Sequence, residues 1–270
     1  YLYYLVSSSL IQSKFDAFFA GGAQKNISPK QIESITYLIP ENKTEQTQIA
    51  TILSKVDEAI TKTEQLIAKY TRIKTGLMQD LLTKGIDENG NIRSEETHEF
   101  KDSALGRIPK EWACVQIENI KEFITSGSRG WAKYYSVEGS QFIRITNLKR
   151  SQIEIDRSDL KFVNLPISVE GIRSKLIEGD LLISITADLG IIGIVPKSFG
   201  DAFVNQHIAL VRLNQEIVNS KFIGYFLISQ TGQAMFNFLN DGGAKAGLNL
   251  KTISNLFIFK KFFIICHMLF

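Results

Sequence analysis

The chain has 270 residues, 44% of them hydrophobic and 22% charged, with a net charge of +3. That is enough chain for one or two domains with a real core, and the composition excludes a disordered or fibrous protein. So small a charge announces no nucleic-acid partner by itself. The two cysteines, Cys114 and Cys266, stand far apart without metal-like spacing, which suits a reducing cytoplasm and argues against a disulfide framework. The chain opens Tyr1-Leu2-Tyr3-Tyr4 rather than with Met and shows no signal peptide, the pattern of a fragment or truncated reading frame.

Residues 1–40 predict an amphipathic helix carrying Tyr4, Leu5, Ile11, Phe15, Phe18 and Phe19. A glycine turn at Gly21-Gly22 follows, then Ile27-Ser28-Pro29 and a short segment from Ile32 to Ile39. From Asn42 to Gly85 apolar positions recur every 3.5 residues on average: Ile49, Leu53, Val56, Ile60, Thr63, Ile67, Tyr70, Lys74, Leu77 and Leu81. Only Thr63 and Lys74 break the stripe, and Ile73 covers for Lys74. A seam at 3.5 is the mark of a coiled coil rather than of a helix lying on a globular core. Asn42 with Glu45 has capping-box spacing at one end, and Gly85 is a stop at the other. About 40 residues at about 1.5 Å each make a rod of roughly 60 Å. Such a rod needs a partner helix.

Residues 86–105 are polar and turn-rich and read as a linker. From 106 to 260 the pattern is that of a second, complete domain. Alternating stretches predict strands at Ala113 to Ile117, Gln141 to Asn147, Ile153 to Ile155, Asp180 to Thr186, Gly190 to Val195 and Ala209 to Leu213. Helices return from Asn219 to Leu239. The tail, 261–270, is greasy, lacks heptads and is too short to span a bilayer.

One feature links the two ends of the chain. Sliding the sequence by 221 residues pairs Tyr4 with Tyr225, Ser8 with Ser229, Gln12 with Gln233, Phe15 with Phe236, Lys30 with Lys251 and Ile32 with Ile253, with Gly21-Gly22-Ala23 over Gly242-Gly243-Ala244. A repeat in register over about 35 residues implies two copies of one module around the rod.

With those residues in view, the chain resembles the specificity (S) subunit of type I restriction–modification enzymes. Ile39-Pro40 with Glu45-Gln46, Ile49-Ala50, Leu53, Asp57 and Ile60 is similar to the start of that family's central conserved helix, and Lys74 to Gly85 to its end. Leu105 to Trp112 is similar to the beginning of a target-recognition domain. Phe142 to Leu148, Glu178 to Ser184, Asn205-Gln206-His207 and Gly242-Gly243 to Leu250 complete the set, in the right order and spacing. The resemblance covers nearly the whole length and departs at the start of the first domain and after Phe259.

It implies an α+β fold, with strand-rich target-recognition domains joined by a long coiled-coil-type spacer helix. Residues 1–40 are then the end of a first recognition domain, 41–85 the spacer, 86–105 linker, 106–260 a second recognition domain, and 261–270 an atypical tail where a second spacer helix is expected. Each domain would read one half of a bipartite double-stranded DNA site. The helix, through Ile49, Leu53, Val56, Ile60, Ile67, Tyr70, Leu77 and Leu81, would dock methyltransferase (M) subunits, with the restriction (R) subunit completing a cytoplasmic complex. The chain itself would hold no cofactor. S-adenosylmethionine, ATP and magnesium would be bound by the partner subunits.

The residues agree that catalysis lies elsewhere. There is no phosphate-cradling G-x-x-x-x-G-K-[ST] loop, no dinucleotide fingerprint and no Asn/Asp-Pro-Pro-aromatic stretch for amine methylation. His98, His207 and His267 do not cluster with the cysteines, so no metal or Cys–His site is expected. For DNA reading, Arg144 has the geometry for guanine and Asn147, Asn205 or Gln206 for adenine. Thr146, Ser184 and Thr186 are further polar candidates. Arg129, Lys133, Lys149 and Lys245 suit phosphates. Each has a plainer alternative: Arg144 pairs with a carboxylate such as Glu154 or Asp156, the asparagines cap turns, His207 is a satisfied half-buried histidine, and Trp131, Tyr134 and Tyr135 are core as readily as platform. The rival class is a coiled-coil interaction protein, self-associating through the rod, without a DNA role.

Overall fold

The structure, a computed structural model, describes residues 1–19, 27–166, 169–241 and 247–261. The chain forms two compact units, Tyr1–Ile73 and Lys74–Phe270. Its mixed helix and sheet content is the α+β class expected from the sequence.

In the first unit the opening helix is two helices, α1 (Leu2–Ser7) and α2 (Ser9–Phe18). Ser8 makes the break: its backbone is extended and its hydroxyl donates back to the Leu5 carbonyl at 2.6 Å, competing with helical pairing. Helix α3 (Pro29–Glu33) is set by Ser28, which exchanges bonds with Gln31 in a capping box, and by Pro29 at its first position. Helix α4 runs 41 residues, Lys43–Thr83, and the Asn42 side chain accepts from the Thr44 N–H at 2.8 Å at its start. Tyr4 donates to Asp57 at 2.6 Å, tying α1 to α4. The seam is open. Ile49 is half-buried, but Leu53, Val56, Ile60, Ile67, Tyr70, Leu77 and Leu81 are exposed.

In the second unit, the stretch expected to be linker is partly structured. Strand β1 (Phe100–Ser103) pairs antiparallel with β2 (Gly106–Pro109), and Ile86 bridges Ile92. Strand β3 (Trp112–Gln116) leads to β4 (Lys121–Ser126), β5 (Tyr135–Ser136), β6 (Ser140–Ile143) and β7 (Lys161–Val163). Then come α5 (Val169–Ser174), β8 (Leu181–Ser184), β9 (Ile192–Ile194), β10 (Ala202–Val204) and β11 (Ile208–Leu213). The chain closes with α6 (Ser220–Ile228), α7 (Gln230–Asp241), α8 (Leu250–Ser254) and β12 (Phe257–Lys261), the last paired antiparallel to β3. Two four-stranded sheets form the body, ordered β4-β11-β8-β9 and β10-β6-β7-β5.

The first of these sheets is buried on both faces, and strand periodicity sorts its residues between two cores. Leu181, Ile183, Ala209 and Val211 pack with Phe226, Leu227, Phe236 and Ile253 on the helical side. Their neighbours Leu182, Ile208 and Leu210 join Ile143, Leu148 and Val204 on the other. Two expected strands differ. Gln141 to Asn147 leaves the sheet at Ile143, because the Asn147 side chain accepts from the Arg144 N–H at 3.0 Å and closes a turn. Ile153 to Ile155 forms no strand; both isoleucines are core, and one bond from Ile194 N–H to the Ile153 carbonyl holds the segment.

The 221-residue repeat is structural. Ser8 and Ser229 each break a helix pair and donate to the carbonyl three residues back, Leu5 and Phe226, both at 2.6 Å. Gln12 donates to Val6 O and Gln233 to Leu227 O, both at 2.9 Å. The two modules differ in what covers them. Phe259 is 0% exposed where its counterpart Leu38 is 96% exposed, and Ile253 is buried where Ile32 is exposed. Of the expected segments, Gly21-Gly22, Gly242-Gly243 and the tail beyond Lys261 lie outside the described residues.

The end of α4 belongs to the second unit's core. Leu82 is buried with Ile108 and Trp112, and Gly85 stops the helix at φ +66°, its N–H donating to Leu81 O. A Cβ at Gly85 would lie 2.5 Å from the Trp112 ring and 2.7 Å from Arg93. Gly85→Ala therefore meets both left-handed strain and overpacking, and should cost about 2 kcal/mol of stability. A fall in the urea midpoint at unchanged slope checks it; an unchanged midpoint would mean that this helix stop carries no load.

Candidate nucleic-acid interface

Strand pairing decides which loops meet. Strand β11 lies antiparallel to both β4 and β8, with Ala209 opposite Ser126 and Ile208 opposite Ser184. The start of β11 and the ends of β4 and β8 are therefore level. In the second sheet β10 runs parallel to β6, with Val204 opposite Ile143, so those two strands also end together. Backbone bonds join the loops leaving these ends: Asn205 N–H to Ile143 O at 3.0 Å, Gly127 N–H to Asn205 O at 3.2 Å, and Ile185 N–H to His207 O at 2.9 Å. Leu248 N–H to Ile185 O, at 2.9 Å, adds the segment before α8. One edge thus gathers residues 127–131, 144–150, 185–190, 205–207 and 247–248. Loops on a rigid sheet platform are where binding residues are commonly carried.

The candidates divide sharply. Arg129 is exposed and makes no ion pair with a carboxylate among the described residues, and Lys133 is exposed with its ammonium 4.9 Å from the Tyr134 ring centroid. Thr186 and Gln206 are half-buried and share His207, at 2.7 Å to Nδ1 and 2.8 Å to Nε2. Thr146 is exposed. Lys245 lies outside the described residues.

Four expectations are corrected. Arg144 takes the plainer alternative, a carboxylate partner, but the partner is Asp159 rather than Glu154 or Asp156: its guanidinium donates to the Asp159 carboxylate at 2.7 Å and to its carbonyl at 2.9 Å. Asn147 is 1% exposed and satisfied from both ends, accepting from Arg144 N–H and donating to the Asp156 and Asp159 carbonyls. Ser184 is fully buried, donating to Asp188 O and accepting from Ile191 N–H across the β8–β9 hairpin. Asn205 is buried, and its side chain accepts from His207 N–H in an Asx turn. In this structure the polar groups of these side chains are engaged within the protein.

Other basic groups here are also spoken for. Lys149 pairs with Asp156 at 3.1 Å, and Arg150 holds Asp188, Leu189 O and the Gln233 side chain. The Asp156 carboxyl is held down to about 2, first by the Ser158 N–H, then by the Ser158 hydroxyl and Lys149, so its charge persists at neutral pH. Arg150, which bridges the hairpin to α7, was not foreseen, because its partners lie 38 and 83 residues away and no local pattern marks them. Trp131 is core, packed with Phe142 and Val163, whereas Tyr135 stays partly exposed at the rim. Among the described residues no group of three His, Cys, Asp or Glu could hold a metal ion, and no helix is long and apolar enough to cross a membrane.

The chain and its fold have counterparts among known proteins. A family model described as Type I restriction modification DNA specificity domain matches residues 1–71 and 109–258. The putative type I restriction enzyme MjaX specificity subunit of Methanocaldococcus jannaschii is 29% identical over 205 residues, covering 76% of this chain and 44% of that protein. The type I restriction enzyme EcoBI specificity subunit of Escherichia coli is 24% identical over 244 residues, covering 87% and 50%. The chain spans about half the length of these curated relatives. Among solved structures, a type I restriction–modification S subunit from M. genitalium superposes with a TM-score of 0.57 at 18% identity, over 93% of this chain and 59% of that one. The shared fold, the two modules around α4 and the match across both of them agree: the chain belongs to the type I restriction modification DNA specificity domain family.

Proposed function

We propose that the chain is a DNA sequence-specificity subunit of a type I restriction–modification system, working in the cytoplasm. It reads one half of a bipartite double-stranded site with residues 106–260 and is itself non-catalytic. The observation that carries this is the loop edge: Thr186, Gln206 and an exposed Arg129 that pairs with no carboxylate among the described residues, on a platform buried on both faces, with exposed Lys133 following the first of these loops in the chain. Charge at such a rim positions a phosphate backbone, and amide and hydroxyl groups read base edges. S-adenosylmethionine, ATP and magnesium belong to the M and R partners.

Residues 1–40 are, on this proposal, the closing module of a first reader, 41–85 the spacer and 86–105 its connection. The repeat's matched hydrogen bonds support that assignment, as does the exposed face of the first module, whose counterpart in the second unit is covered by a sheet. The open α4 seam is the docking surface for M subunits and, in the isolated chain, for a second copy.

Binding of a cognate half-site duplex should weaken steadily with rising salt. Arg129→Ala and Lys133→Ala should each lower the log–log salt slope by about one while leaving sequence preference intact. Asn147→Ala should instead cost about 2 kcal/mol of stability, through the buried groups it orphans. Titrations of cognate and shuffled duplexes at several salt concentrations check this, and equal binding to both duplexes by folded protein sinks the proposal.

For the seam, the isolated chain should run as a dimer by light scattering, and Ile60→Asp with Ile67→Asp should make it a monomer. A mass that the double substitution leaves unchanged would remove α4 as the interface.

A further inference from the structure

Of the three side-chain amides on the loop edge, Asn147, Asn205 and Gln206, only Gln206 is not buried. Asn147 and Asn205 are both buried and bonded to main chain. Gln206 is half-buried, and its recorded partner is a side chain, the His207 imidazole, at 2.8 Å.

That contact has a definite polarity. A glutamine amide nitrogen donates and does not accept, so His207 Nε2 accepts from it and the ring proton sits on Nδ1. Nδ1–H then donates to Thr186 Oγ1 at 2.7 Å. The imidazole is held on the backbone side as well, by His207 N–H to Asn205 Oδ1 at 3.1 Å and by Ile185 N–H to His207 O at 2.9 Å. Thr186 belongs to the β8–β9 hairpin and Gln206 to the turn before β11, so the histidine locks one loop to the other.

The bond to His207 uses one of the two amide hydrogens. The second hydrogen and Oε1 remain, a donor and an acceptor in one plane, and this pair matches N7 and the N6 amino group on the major-groove edge of adenine. A free glutamine side chain must be ordered before it can make both bonds. Here that ordering precedes contact, which is the condition under which a polar group discriminates well.

Resting on the DNA-reading function above, we propose that His207 is a positioning residue for specificity: fixed by Thr186, it orients the Gln206 amide to read an adenine of the half-site. His207 itself touches no base.

The test is selection by the full 270-residue chain from a library of duplexes with a randomised central segment, scored as base preference at each position. Gln206→Ala should lower an adenine preference at one position about tenfold. His207→Leu should reproduce that loss at the same position while non-specific duplex affinity and the unfolding temperature hold. His207→Gln, which offers a carbonyl acceptor close to where Nε2 stood, should recover most of the preference. Thr186→Val should give a smaller loss at the same position, and it decides the matter if His207→Leu does not fold. A preference unmoved by His207→Leu, or by Thr186→Val in its place, overturns the proposal. So does an equal loss of binding to all sequences, which is what a merely structural histidine would give. A wild-type chain that selects nothing from the library overturns the DNA-reading function itself, and this assignment with it.

Discussion

The second unit depends on strand β11. It is hydrogen-bonded on both sides and buried almost throughout, from Ile208 to Leu213. No other strand of its sheet touches so much of the unit. Its first residue sets the level at which the neighbouring strands stop, and so where the loops emerge. Its other end is clamped by charge. Arg212 donates to both oxygens of Asp180, at 2.9 and 2.8 Å, and Ile177 N–H adds a third bond at 2.8 Å. Burial pushes the Asp180 carboxyl up, and the guanidinium and the N–H pull against it. With three donors on a 1% exposed residue, the ion pair holds β8 in register against β11. Removing one partner would strand the other and cost about 3–5 kcal/mol. Registry is the better-attested use of such a buried pair, and register here is what keeps the loop edge level.

The sequence showed some of this and hid the rest for physical reasons. Helix α4 was legible because a 3.5-residue period over forty residues has no competing explanation, and its ends carry local signals in Asn42 and Gly85. The repeat was legible because it is a comparison of the chain with itself. Strands β8, β9 and β11 were legible as apolar runs. For Arg144 a carboxylate partner was one of two open readings, since an arginine at a strand end looks the same whether it meets guanine or Asp159, and which carboxylate it meets, fifteen residues on, was not legible. Ser184 and Asn147 failed for the opposite reason. Small polar residues at strand ends are as useful for closing turns as for reading bases, and burial alone tells the two uses apart.

The two modules of the repeat show how far local sequence reaches. Ser8 and Ser229 break their helices with the same bond, and Gln12 and Gln233 tie the same two turns together. Those features need only neighbours within six residues, so both copies form them. What differs is long-range. In the second unit Gln233 also donates to Gly190 O at 2.9 Å and accepts from Arg150 at 2.7 Å, which joins the helix pair to the hairpin. The module is therefore a locally specified helix pair, and in the second copy Phe236 and Ile253 complete its apolar face against the sheet.

Arg150 extends that logic to the helix that precedes the unit. Lys74 of α4 donates to Ser151 O at 3.0 Å, next in the chain to Arg150. Arg150 in turn grips Asp188 and Leu189 on the hairpin that carries Thr186. A short bonded path thus runs from the last turns of α4 to the loop edge, while Leu82 and Gly85 anchor the same turns in the core through Trp112. The lysine bond is weak alone, since an exposed lysine–carbonyl bond contributes little net stability, and the buried Leu82 packing is the stronger of the two. The terminal turns of α4 are thereby built into the second unit.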